Sequence, residues 1–383
     1  MVIYVVKEGD NVDAIAAAAG IPVETLIRDN QIDYPYRLAV GQSLYIRGTV
    51  PWPYKTTLTS TGYAYPFIES KVLGETLPYL TDINVFSYGF TEEGNLIYPA
   101  SDDAWMIEAS RKMGVRPVMV LTPIGADGRF NNNLVSALVR NPAVQQKLIW
   151  EIGRTMQERQ FGGLDIDFEY VLAEDRENYA AFVRLTTQVM NLFGYPVSVA
   201  LAPKTSADQR GLLYEGIDYR LLGEAANHVM LMSYEWGYSQ GPPMALAPLN
   251  MVRRVVEYAV SEIPAEKILL GIPNYGYDWP LPYERGTTRA RTINNKEAVQ
   301  LAIDFGVEIR FDETAQSPYF RYWQYGIQHE VWFEDIRSIK GKFDLIQEFG
   351  LLGSGYWQLM NFFKANWLMM DEMFWIRRAN ISA

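Results

Sequence analysis

The chain has 383 residues, 49% hydrophobic and 21% charged, with a formal net charge of −11; this is a globular composition with room for one large domain and a small one. Such acidity argues against nucleic acid and anionic membrane surfaces as partners, since both select basic patches, and no apolar run is long enough to span a bilayer. With no cysteine, and only His228 and His329 as histidines, disulfides, thiol nucleophiles and cysteine-type zinc sites are excluded, a histidine triad or multi-histidine metal site is unsupported, and acid chemistry falls to Asp and Glu.

The first residues, Met1-Val-Ile-Tyr-Val-Val6, lack the basic flank and apolar length of a secretory signal. The expectation is synthesis in the cytoplasm, with any export by another route. Aromatic residues make up 14% of the chain, including 10 Trp and 25 Tyr. Sugar rings stack on flat aromatic faces, though large α/β cores use many aromatics too.

Residues 1–48 read as a separate small unit. Tyr4 to Asp10 is a short strand ending in a turn. Asn11 can cap a helix from Val12 to Ala19, which Gly20 stops. Pro22 opens a second helix, Val23 to Arg28, and Leu44-Tyr-Ile46 returns as a strand. This βααβ layout resembles a LysM module, through Val6-Lys-Glu-Gly-Asp10, Ile15-Ala16, Leu26, Asn30, Leu38 and Val40-Gly-Gln-Ser-Leu44. LysM modules bind glycans containing N-acetylglucosamine, chiefly peptidoglycan and chitin. The resemblance implies contacts from the first strand–helix loop, at Gly9, Asp10 and Asn11, and from the loop after the second helix, at Ile32 and Asp33. The alternative is an inert cap packed on the main domain. Residues 49–56, with Pro51-Trp-Pro53, read as a short stiff linker.

From Thr57 to the end at 383, strand and helix patterns alternate. Strands are expected at Leu58–Tyr63, Asn84–Phe90, Arg116–Leu121, Leu164–Glu169, Val197–Ala202, Val229–Tyr234, Ile268–Pro273 and Leu352–Trp357. Helical runs such as Asp102–Met113, Pro142–Gln160, Ala173–Phe193 and Leu249–Ile263 lie between them. This predicts an α/β fold, a (β/α)8 TIM barrel. A doubly wound sheet is the alternative, but no Gly-rich phosphate loop follows the first strand. Only the connection from the seventh strand to the eighth is long. Residues 279–333 read as a small α+β insertion with a helix at Lys296–Phe305 and strand-like pieces at Val307–Phe311, Phe320–Gln324 and Glu330–Phe333. A helix at Glu334–Phe349 precedes the last strand. A closing helix, Phe362–Arg377, carries Trp367, Met370 and Phe374 at helical spacing for packing on the barrel.

The fourth strand pattern, Gly163-Leu-Asp-Ile-Asp-Phe-Glu-Tyr-Val171, alternates Asp165, Asp167 and Glu169 with Leu164, Ile166 and Phe168. A period of two places the acids on one face, with neighbours about 6.5–7 Å apart. Acidic alternation commonly marks a solvated face. Here the strand stands between two helices, the position of an interior parallel strand, so the acids face a barrel interior or cleft. Buried at that spacing, they cannot all be ionised at neutral pH, and at least one keeps its proton. A ready acid beside an ionised carboxylate suits glycosidic bond cleavage.

Barrel active sites lie at the carboxyl ends of the strands. Those ends bring Glu169, Tyr234 with Glu235, the segment Tyr275 to Trp279, and Trp357. The set resembles the family 18 glycoside hydrolases over roughly residues 57–376. The family's Asp-x-x-Asp-x-Asp-x-Glu pattern falls on Gly162, Asp165, Asp167 and Glu169, with glycine for the first acid. Its Met-x-Tyr-Asp pattern appears as Met232-Ser-Tyr-Glu235, with Glu for Asp. Its strand-eight tryptophan falls in Gly355-Tyr-Trp-Gln358.

That resemblance implies a retaining, substrate-assisted hydrolysis that requires no metal or cofactor. It makes Glu169 the acid/base, Asp167 the partner of the substrate's acetamido group, Asp165 the support of Asp167, Tyr234 a hydrogen-bond donor to the acetamido oxygen, and Trp357 the sugar floor. Met232, Glu235, Tyr275, Tyr277, Asp278 and Trp279 are expected to bind substrate. The segment Pro273 to Trp279, with the LysM module and the missing leader, is similar to the spore cortex-lytic N-acetylglucosaminidases of the family, which implies a peptidoglycan substrate and a place in the spore coat or cortex, or alternatively the cell wall. A chitinase or other endo-β-N-acetylglucosaminidase is the alternative, and a catalytically inactive glycan-binding coat protein is a third.

Overall fold

The computed structural model describes residues 1–48 and 52–379. Residues 49–51 of the expected linker, Pro51 among them, lie outside the described residues. In the N-terminal module, strand Val2–Val5 pairs antiparallel with Ser43–Ile46, and helices Val12–Ala19 and Val23–Asp29 cover them. Asn11 caps the first helix by accepting from the Ala14 N–H at 2.9 Å, and Gly20 ends it in a left-handed conformation. Val6, Ile15, Leu26 and Leu44 form the module's core.

The main domain is a closed ring of parallel strands. In chain order they are Thr56–Ala64, Asp82–Phe90, Arg116–Leu121, Gly163–Ile166, Val197–Leu201, His228–Leu231, Ile268–Pro273 and Gly353–Trp357, and the last pairs with the first. This is the expected TIM barrel. The fourth strand's alternation is kept: Leu164, Ile166 and Phe168 point outward into the core beneath the helices, where Phe168 stacks between Tyr179 and Phe182. Regular pairing ends at Ile166, short of the expected Glu169, although the Asp167 N–H still reaches Leu121 O at 2.9 Å. The closing helix stops at Met373. Phe374–Ile376 instead forms a strand beside Thr56–Leu58, a stretch that strand eight leaves unpaired because its register starts at Thr59.

The insertion carries an antiparallel sheet in the order Arg291–Ile293, Gly276–Leu281, Ile327–Trp332, Ser317–Gln324, Arg310–Asp312. Helix Asn295–Phe305 packs on it around Phe320, Tyr322 and Val331. The sheet begins at Gly276, before the boundary expected at 279, because strand 276–281 lies against Trp332 and Phe333. A Cβ at position 276 would lie 2.6 Å from that backbone and from the Phe333 Cβ.

The N-terminal module is clamped to both parts of the main domain. Tyr45 donates to Glu372 at 2.6 Å, the Lys364 N–H donates to Gln31 at 2.7 Å, and the Ile309 N–H donates to Val40 O at 2.9 Å. Gly41 is required at this junction: its φ is +81°, and a Cβ there would overlap Ile309 O.

Candidate active site

The carboxyl end of the barrel opens into a cleft of about 720 Å³. Asp167 and Glu169 line it with Met232, Tyr234, Glu235, Tyr275 and Trp357, each from a strand end picked out in the sequence. Asp165 sits one step below, fully buried, and accepts from Tyr63 at 2.8 Å and from Ser198 at 2.5 Å. Burial pushes its carboxyl up, against the pull of those two donors.

Asp167 is 7% exposed, and its Oδ1 has no hydrogen-bond partner among the described residues. Burial first, then the charges of Glu169 and Asp165, hold its pKa well above the usual carboxylate range. Glu169, at the mouth, is pushed up by burial and next by Glu235. All three carboxyls are thus pushed up, and a ladder of acids stacked this way titrates as a group.

Tyr234 fits because Gly271 on the neighbouring strand has no side chain: a Cβ there would lie 2.9 Å from the tyrosine ring. Glu235 adopts a left-handed backbone, with φ +66°, and its carboxylate accepts hydrogen bonds from Tyr275 and, at 3.0 Å, from Tyr277. Burial raises its pKa, while those two phenols oppose the rise. The Trp357 ring closes the floor, with Phe86 edge-on at 5.0 Å and Tyr63 at 5.7 Å.

Three expected contacts fall elsewhere. Tyr277 is buried behind the wall and reaches the cleft only through Glu235. Asp278 points to the opposite face of its strand, where it accepts from Tyr322 and His329 at 2.8 Å each. Trp279 is fully buried and donates to Gly241 O at 2.8 Å. Alternation along strand 276–281 fixes these directions, so Asp278 and Trp279 shape the insertion and do not line the cleft.

In the N-terminal module, Gly9 takes the left-handed turn. The Asp10 carboxylate is engaged by Tyr4 and by the Lys7 N–H, both at 2.8 Å, and Asn11 is the helix cap. Ile32 belongs to the module's core, and Asp33 is paired with Lys296 of the insertion at 2.7 Å. The second loop thus touches the insertion through Asp33, while Asp33 and Tyr34 stay exposed.

Five cleft residues, Tyr63, Tyr65, Phe86, Phe130 and Ala200, do not stand out in the sequence as site residues. For the first three a signal exists, since Tyr63 and Tyr65 lie at the end of strand one and Phe86 within strand two. Phe130 lies on a loop after strand three, and nothing local marks it.

The glycine in place of the motif's first acid also has a structural counterpart. A Cβ at position 162 would lie 2.7 Å from Arg116 Cγ. Arg116 crosses that space and forms a two-point pair with Asp82, at 2.7 and 2.9 Å.

Comparison with known proteins agrees with this geometry. The profile for glycosyl hydrolases family 18 matches residues 77–361, and the LysM domain profile matches residues 4–47. The Cortical fragment-lytic enzyme of Bacillus subtilis (strain 168) is 39% identical, with 98% of each chain covered. The crystal structure of the Bacillus megaterium QM B1551 spore cortex-lytic enzyme SleL superposes with a TM-score of 0.92 at 35% identity, covering 98% of both chains. A chitinase from Chromobacterium violaceum ATCC 12472 shares the fold at a TM-score of 0.74 and 24% identity, covering 82% of this chain and 98% of its own.

Proposed function

The chain belongs to glycosyl hydrolase family 18, and we propose that it hydrolyses N-acetylglucosaminyl bonds of peptidoglycan in the spore cortex. The observation that carries the substrate is whole-length similarity, LysM module included, to a cortical fragment-lytic enzyme and a spore cortex-lytic enzyme. The same similarity supports a location in the spore.

The site residues support a substrate-assisted mechanism. Glu169, whose carboxyl burial pushes up, gives its proton to the glycosidic oxygen as the bond to the anomeric carbon breaks. The carbonyl oxygen of the sugar's own 2-acetamido group attacks that carbon from the opposite face, giving a cyclic oxazolinium ion. Asp167 takes the acetamido N–H on Oδ1, the oxygen left without a protein partner. Its carboxylate stabilises the positive charge as its own proton passes to Asp165. Tyr234 donates to the acetamido oxygen, and Trp357 supports the sugar face. Glu169, now ionised, takes a proton from water, which opens the ring from the original face. The product keeps its configuration.

Tyr275 and Glu235 line the far side of the cleft and contact the sugar beyond the cleaved bond. In the module, Gly9, Asp10 and Asn11 form the glycan-facing loop.

Digestion of purified cortex peptidoglycan and colloidal chitin in parallel, with mass spectrometry of the reducing ends, tests the reading. Fragments ending in reducing N-acetylglucosamine from cortex alone are expected. Release of chitobiose would make the enzyme a chitinase, and an absence of products from both would make it a non-catalytic glycan binder.

A further inference from the structure

Lys204 stands just beyond strand Val197–Leu201, at the carboxyl end of the barrel, and is 2% exposed. An ammonium group has three N–H bonds, and here all three go to backbone carbonyls. They reach Ile217 O at 2.7 Å, and Ala207 O and Tyr214 O at 3.2 Å each. None is left for a carboxylate, although burying a charge without an ionic partner is costly. The charge instead ties one loop, residues 205–217, to the end of strand five. The stem is fixed as well: the Lys204 N–H donates to the Tyr219 hydroxyl at 3.0 Å, which donates to Ala202 O at 2.7 Å.

The loop so held packs on the segment that carries Glu169. A Cβ on Gly216 would lie 2.1 Å from Val171 O and 2.8 Å from Leu172 O, so backbone meets backbone there. Tyr214 stands beside Tyr170, whose phenol is pushed up by burial first and then by Glu169, Tyr214 and Tyr238. The segment needs such support. Regular pairing of strand four has ended at Ile166, and the Asp167 N–H makes one further bond. Beyond it, among the described residues, no backbone–backbone hydrogen bond holds residues 168–171. Tyr170 also keeps a left-handed φ of +54°, which a non-glycine residue retains only where its neighbours enforce it.

We propose that Lys204 is a positioning residue for the reaction, holding Glu169 in place and away from water through the loop 205–217. The proposal rests on the reading of Glu169 as the acid. The titratable groups that face Glu169 are Asp167 and Tyr170 from its own segment, and Tyr234 and Glu235 from strand six. Those around the ammonium are Asp218, Asp208 and Glu215, with Arg176. Without the three-point tie the loop lifts from Val171, water reaches Glu169, and the burial that holds its carboxyl up is relieved. The acid then loses its proton at lower pH. Loss of the lysine's charge alone acts the other way, because a nearby cation favours the carboxylate. The direction of the change therefore separates the two effects.

Lys204→Met in the full chain keeps the length of the side chain and removes its donors. On soluble cortex fragments it should lower kcat at least about tenfold, as a small displacement of a reacting group does, with KM within about twofold of wild type. The Glu169 carboxyl, followed by NMR of the glutamate-labelled chain and identified by its absence in Glu169→Gln, should titrate at lower pH than in the wild type. Gly216→Ala leaves the ammonium in place and pushes on Val171 directly. It should reproduce both effects, and it decides the matter if Lys204→Met does not fold. A Glu169 titration that stays put or moves to higher pH overturns the proposal, as does a rise in KM that accounts for the lost activity. The titration needs no turnover. Its move to lower pH without cortex hydrolysis by the wild-type chain overturns the substrate reading alone, and hydrolysis without that move overturns the role of Lys204 alone.

Discussion

The Arg116 side chain occupies the space that any side chain on Gly162 would need, with its Cγ 2.7 Å from the position of the missing Cβ. The arginine pairs there with Asp82, which is 2% exposed, at the amino-terminal end of the barrel strands. The glycine in the catalytic motif thus belongs to the closure of the barrel's base, at the opposite end of the strand from Glu169.

Gly162→Asp, which restores the motif's first acid, should therefore destabilise the fold by about 1–3 kcal/mol through overpacking. It should leave kcat within about twofold of wild type. Denaturant melts alongside kinetics on soluble cortex fragments check both parts, and a large gain in kcat would contradict the assignment of this position to the base.

Glu169→Gln should lower turnover by at least about 10²-fold, the ordinary loss for a missing general acid. The melting midpoint should be unchanged or slightly raised, because burial disfavours the charged carboxylate and an amide carries no charge. Turnover near the wild-type value would remove Glu169 from the role of acid.

Glu235→Gln should move the basic limb of the pH–rate profile to lower pH. The sign follows from the charge: a carboxylate at 235 disfavours ionisation of Glu169, and a neutral amide does not. Glu169 then loses its proton at a lower pH, and activity falls earlier as pH rises. An unchanged or alkaline-shifted limb would show that Glu235 does not govern the acid's titration.

Asp167→Asn should stabilise the fold while impairing catalysis. The folded pKa of Asp167 lies above its unfolded value, so its protonated form favours the native state at low pH, and that contribution is lost as pH rises through the folded pKa. Asparagine escapes that loss. The gain should be smallest at acidic pH and grow as pH rises through the folded pKa. Thermal melts across that range provide the measurement.

Asp278→Ala should leave Tyr322 and His329 without their acceptor and destabilise the fold by about 1–3 kcal/mol. It should not raise KM more than about twofold, because the residue faces away from the cleft. A KM effect larger than the stability effect would return Asp278 to the substrate.

The sequence made the barrel legible because each strand is a short apolar run flanked by helical periodicity, and it made the acid ladder legible because alternation persists through Asp167 and Glu169 even where regular pairing has stopped. It did not reveal which face of strand 276–281 meets substrate. That depends on pairing with residues 327–332, about fifty positions away, and local pattern leaves it open; Asp278 and Trp279 were consequently expected at the cleft. The LysM loop was obscured for a similar reason. Asp33 reads as exposed, and it is, but only the folded chain brings Lys296 to it. Arg116 over Gly162 is likewise a contact between strands three and four, invisible in a motif confined to one of them.

The clamp between Tyr45 and Glu372 has a consequence for how the N-terminal module can be studied. Tyr45 is 1% exposed, and its partner lies on the helix that leads into strand Phe374–Ile376 beside the first barrel strand. Excising the module would unseal the barrel's C-terminal edge and strip the backbone N–H groups of Lys364 and Ile309 of their acceptors as well. Lower activity in a truncated chain would then mix weakened wall attachment with a loosened catalytic domain. Point changes on the module's outer loop, which leave the seam intact, separate the two.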